Sequence, residues 1–87
     1  MRKEIKTNVI AYIGSFANMK PEDISEEYIL RSNPLHLDNI KLGFLTIALR
    51  AYLKSLNPDA TLYVTEIRKS GMTVKKTYEL IIQKSGL

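Results

Sequence analysis

The longest nearly unbroken apolar stretch of the chain runs from Leu37 to Leu53, LDNIKLGFLTIALRAYL. At helical period its polar members, with Lys54 just beyond it, fall in one narrow stripe: Asn39, Gly43, Thr46, Arg50 and Lys54, spaced 4, 3, 4 and 4. Leu42, Leu45, Ala48, Leu49, Tyr52 and Leu53 make one broad apolar side, with Ile40, Phe44, Ile47 and Ala51 beside it. The spacing predicts a helix buried over most of its circumference, with the polar stripe as an exposed rail. Lys41 breaks the pattern, but in the first turn its long side chain can reach water past the helix end. Asp38 is placed as the N-cap, its carboxylate free to accept from an orphan N–H of the first turn.

Before this helix, Ile5, Val9, Ile13 and Phe16 recur at helical spacing and predict a first helix over residues 3 to 17, laid by one face on the central one. Gly14 inside it costs stability against alanine. Residues 18 to 37 lose the periodicity. Pro21 can begin a short turn as an N1 residue. Ile24, Tyr28, Ile29 and Leu30 would pin this long connection to the core, and Asn33-Pro34 marks a turn before the central helix. Beyond that helix, Asn57-Pro58-Asp59 reads as a helix start. TLYVTEIRKSG, ending at Gly71, reads as a short helix or an irregular segment, because a lone strand would have no partner. Thr73 caps a last helix with Val74, Tyr78, Leu80 and Ile81 on its inward face and a stop at Gly86. The pattern as a whole predicts a single all-α domain over residues 1 to 87, a small four-helix bundle with a long loop between its first two helices.

Composition narrows the chemistry. The 87 residues contain no cysteine and one histidine, His36, which excludes disulfides, thiolate chemistry and a histidine-rich metal site. No glycine-rich phosphate loop occurs, and no catalytic residue is assigned. The chain is expected not to be an enzyme. Glu4 and the lack of a long apolar core argue against a secretory signal in MRKEIKTNVI, so a cytoplasmic monomer without membrane contact is expected. The net charge of +4 is unevenly spread: Glu22, Asp23, Glu26 and Glu27 cluster, whereas the basic residues are scattered. Aromatic residues do not interleave with the basic ones, so nucleic acid is not expected as a partner.

Three stretches together resemble the acyl carrier proteins and the related peptidyl carrier domains. Met19 to Ser25, MKPEDIS, is similar to the acidic start of that family's first loop. Leu37-Asp38-Asn39-Ile40, with Leu45, Ala48, Leu49 and Leu53 after it, is similar to the Asp-Ser-Leu motif and the core face of the family's second helix. Thr73-Val74, Tyr78 and Leu80-Ile81 resemble the opening and apolar face of its last helix. The resemblance spans about residues 5 to 82, with a longer segment between the second and last helices. It implies a carrier-like fold and a domain that presents an acyl or aminoacyl group on a 4'-phosphopantetheine arm. Its partners would be the acyl-transfer and condensing enzymes of fatty-acid, polyketide or related synthesis and a phosphopantetheinyl transferase.

Two departures matter. Asn39 stands where the family has its attachment serine, after Asp38, and a carboxamide has no hydroxyl to attack a phosphate. The arm is therefore not expected at Asn39, and the chain is either a serine-to-asparagine variant or a degenerate carrier. The second helix, usually acidic in the family, here carries Arg50 with Lys41 and Lys54, which would favour acidic docking surfaces. The alternative reading is a non-carrier adaptor on the same fold, with Ile40, Gly43, Ile47 and Arg50 as the partner-binding face. Against it stands the reading of Ile40 and Ile47 as ordinary core.

Overall fold

A computed structural model describes residues 2–87. It is a small all-helical bundle in the order α1 (Arg2–Ala17), a 3-10 turn (Pro21–Asp23), α2 (Asn39–Leu56), α3 (Val64–Ile67) and α4 (Val74–Ser85). Among the described residues the only bridge of strand type is an isolated one between Ile29 and Thr73. α1 packs against both α4 and α2, and α2 also touches α4 and α3.

α2 and α4 start where a side chain satisfies an end group. Asp38 accepts the Lys41 N–H at 2.8 Å, and Thr73 accepts the Lys76 N–H at 3.1 Å. α4 ends on left-handed Gly86. The core is one cluster: Ile5, Val9 and Ile13 of α1 meet Leu42, Leu45, Leu49 and Leu53 of α2 and Val74, Tyr78 and Ile81 of α4. Leu80, expected on the inward face of α4, is half-buried at its margin.

The long connection between α1 and α2 is tied down, as its apolar residues predict. Ile24, Leu30, Leu35 and Leu37 are buried. The backbone N–H groups of Val74 and Lys75 donate to the carbonyls of Tyr28 and Glu26, each at 2.9 Å, and Leu30 donates to Met72 at 2.9 Å. Glu26 accepts from Lys6 at 2.9 Å and from the Tyr78 hydroxyl, joining the loop to α1 and α4. Gly14 opens this corner. A Cβ there would lie 2.6 Å from the Met19 carbonyl oxygen, which is backbone and cannot swing away.

Two expectations are corrected. Asn57 does not start a helix: it is the C-cap of α2, its N–H donating to Leu53, while its side chain accepts from Asp59 N–H at 3.2 Å to shape a turn. Asparagine followed by proline serves a turn as well as it serves a helix start. The other correction concerns the face of α2. Asn39 and Lys54, at the two ends of the predicted rail, are exposed as expected, but Thr46 is 1% exposed and Gly43 and Arg50 are half-buried. Ile40, Phe44 and Ile47, expected beside the buried face, are 68, 57 and 60% exposed.

The physical reason is the segment from Asn57 to Arg68, which lies over the polar stripe. An irregular backbone laid on a helix needs donors for its carbonyls. Arg50 Nε donates to Leu62 at 2.7 Å, and Lys54 Nζ donates to Ala60 at 2.9 Å. Gly43 leaves room for Arg68, whose Nη2 would lie 3.1 Å from an added Cβ. Arg50 and Lys54 of the rail satisfy this covering segment, the Thr46 hydroxyl donates to Leu42 within α2, and the neighbouring apolar stripe is left to solvent.

Candidate functional site

Asn39 is the first residue of α2, directly after the Asp38 cap, and it is exposed. Its side chain is engaged. Arg31 Nη2 donates to Asn39 Oδ1 at 2.7 Å. Arg31 also donates through Nε and Nη2 to the Arg68 carbonyl at 3.2 and 3.0 Å, and Arg68 Nη2 donates to the Asn39 carbonyl at 2.7 Å. A guanidinium only donates, so the amide oxygen must be the atom that faces Arg31. The three residues close a ring that fastens the long loop, the start of α2 and the end of α3 to one another. No sequence periodicity signals this ring; Arg31 and Arg68 stand in irregular segments.

This residue does not fit a covalently attached phosphopantetheine arm. It has no hydroxyl, and its amide oxygen is already held by Arg31. Of the serines, none opens a helix: Ser15 lies on α1, Ser55 in the last turn of α2 and Ser85 at the end of α4, while Ser25, Ser32 and Ser70 are outside the helices. The structure thus brings Asp38 and Asn39 to an exposed helix start without the chemistry of attachment.

Along α2 from that start, Ile40, Phe44 and Ile47 form a solvent-facing stripe, continued by exposed Ala51. Beside it Gly43, Thr46, Arg50, Val64 and Arg68 complete a shallow open groove of about 410 Å³. All four residues named from sequence as a partner-binding face line this one groove. Ile40 and Ile47 stand out on its exposed stripe, whereas Gly43 and Arg50 are half-buried under α3. Phe44, which sequence reasoning left out of the face, is central to it. Its position between Ile40 and Ile47 at spacings of four and three was the available signal.

Within α2 itself the charge is of one sign; the acids nearby are the Asp38 cap and, in the covering segment, Asp59 and Glu66. α2 contains Lys41, Arg50 and Lys54 and neither aspartate nor glutamate. Arg31 and Arg68 add two cations at its start. The ion pairs among the described residues are Lys6–Glu26 and Lys84–Glu66, so none of these five cations has a carboxylate partner there. Asp38, the nearest acid in sequence, is committed to the cap. No group of three His, Cys, Asp or Glu side chains that could hold a metal ion occurs among the described residues. Among those residues, too, no helix is long and apolar enough to cross a membrane. Comparison with family models, with curated proteins and with solved structures gives no match for this chain.

Proposed function

We propose that this chain is a non-enzymatic domain of the carrier-protein type that has kept the docking helix and lacks the arm. In this reading α2 engages a partner protein through Ile40, Phe44 and Ile47, and position 39 holds the loop in place of bearing cargo. The observation that carries it is the exposure of those three large apolar side chains on one face of the helix that begins at Asp38-Asn39. Single exposed apolar residues are ordinary; three in register on one helix form the kind of patch that proteins use for contact. The carrier half of the reading draws support from the order of elements: a tied-down long loop, a capped central helix at Asp38 and a last helix opening on Thr73-Val74.

Intact-mass measurement after incubation with a phosphopantetheinyl transferase and coenzyme A tests that half. The chain itself should gain no mass, and Asn39→Ser should gain one phosphopantetheine. A serine variant that folds, as circular dichroism would report, but stays unloaded removes the carrier relationship. The adaptor then stands on the α2 stripe alone.

The adaptor half carries its own prediction. Ile47→Asp should leave the thermal midpoint within a few degrees of the parent, because an exposed substitution changes stability by about 0.5 kcal/mol or less. The same variant should lose partner binding, and retention of binding would move the interface elsewhere.

A further inference from the structure

The apolar stripe on α2 is narrow. Ile40, Phe44, Ile47 and Ala51 are spaced 4, 3 and 4, the repeat of a helix–helix seam, and the opposite face of α2 is filled by the core through Leu42, Leu45, Leu49 and Leu53. A seam of this width takes one helix, and at about 1.5 Å per residue it runs for about three turns. Its flanks are cationic. Lys41 is exposed on one side of Ile40, and Lys54 and Arg50 lie on the side toward the covering segment. Arg31 and Arg68 stand at the N-terminal end. A second copy of this chain, laid stripe to stripe, would bring two sets of cations together with no acid on either helix, and like charges across an interface are unfavourable.

We infer that the occupant of this stripe is an amphipathic helix of another protein, with a short apolar seam bordered by aspartate or glutamate. The inference rests on the docking reading above and adds the secondary structure and charge of the partner. The contact is a transient one: four seam residues and their flanks are far fewer than the roughly 20 to 30 residues a side of a stable interface. The flanking charges steer encounter and select against basic helices, while the apolar residues hold the pair together.

Two synthetic helical peptides with the same leucine seam, one flanked by glutamate and one by lysine, test this on the full chain. Backbone amide shifts and a titration give site and affinity. The glutamate peptide should shift the amides of Ile40, Phe44 and Ile47 and bind at least about tenfold more tightly than the lysine peptide. Its affinity should fall several-fold between about 0.05 and about 0.5 M salt, as the screening length shrinks. Phe44→Ala should weaken it by about tenfold without changing the helical circular dichroism. Equal binding of the two peptides overturns the acidic-partner inference and leaves docking through α2 standing. Binding of neither peptide, with adsorption to vesicles containing anionic lipid, overturns it in favour of a membrane surface. A dimer at low salt that Phe44→Ala dissolves overturns it in favour of a second copy. Binding of neither peptide together with none of these overturns the inference as well. The docking reading itself falls when a peptide binds Ile47→Asp as tightly as the parent chain, or when the stripe proves to hold a membrane or a second copy.

Discussion

A carboxamide at position 39 reaches Arg31 with an oxygen two atoms beyond Cβ, and a serine hydroxyl is shorter by one bond. Asn39→Ser should therefore lose the bond to Arg31 while the ring keeps its two backbone acceptors, the Arg68 and Asn39 carbonyls. The loss should be about 1 kcal/mol or less at this exposed site, measured as a lower urea midpoint with an unchanged slope. Gly14 is the opposite case. Alanine has the better helix propensity by about 1 kcal/mol, yet its Cβ would collide with the Met19 carbonyl at 2.6 Å. Displacing backbone outweighs propensity, so Gly14→Ala should destabilise by about 1 to 3 kcal/mol, and a rise in midpoint would show that the corner between α1 and the 3-10 turn yields. On α2, Leu49→Ala should cost about 2 to 5 kcal/mol, since Leu49 is fully buried, whereas Phe44→Ala is near neutral.

The long loop is held to two helices by one carboxylate. Hydrogen bonds from the Tyr78 hydroxyl and from Lys6 keep the Glu26 carboxyl below its ordinary value of 4.5, and the same bond to Glu26, with burial, pushes the Tyr78 hydroxyl up to about 12. The signs differ at the two ends of the pH scale. A carboxyl whose pKa is lowered by folding stabilises above its unfolded value and loses that contribution as pH falls below about 4.5. A phenol whose pKa is raised stabilises below 10.0 and loses its contribution as pH rises from there toward about 12. Glu26→Gln should flatten both limbs of a stability–pH profile, and an unchanged profile would show that the latch contributes nothing. Much of this architecture was legible in residues that make ends and faces: Asp38, Thr73 and Gly86 fix three helix termini, and Ile5, Val9 and Ile13 announce the inner face of α1. The outer face of α2 was not. A helical wheel shows that Thr46, Arg50 and Lys54 share a side, but whether water or protein covers that side depends on where residues 57 to 68 come to rest. Those residues have no periodicity to read. The Arg31–Asn39–Arg68 ring was hidden for the same reason, since Arg68 comes from that distant segment and Arg31 from the irregular loop before α2.

At the scale of the whole molecule, the cations of α2 and its exposed apolar stripe predict opposite effects on self-association. The acids Glu22, Asp23, Glu26 and Glu27 lie on the loop that follows α1, while the charged residues of α2 beside the exposed stripe of Ile40, Phe44 and Ile47 are all cations. Apolar contact between two stripes would be favourable and the facing cations unfavourable, and the balance depends on ionic strength. At about 0.1 M salt the screening length is about 10 Å, longer than the distance across a seam, and repulsion holds the stripes apart. Near 1 M it falls to about 3 Å, and the apolar term is left with little opposing it. Sedimentation velocity should therefore find a monomer at low salt and reversible self-association as salt rises, the reverse of an assembly held by ion pairs. Ile47→Asp should abolish the high-salt species by placing a charge in the seam. Replacing both Lys41 and Lys54 by glutamine should bring association to lower salt by removing the repulsion. Association that is strongest at low salt, or that survives Ile47→Asp, would place the contact between the acidic loop and the basic flank of α2 and leave the stripe free.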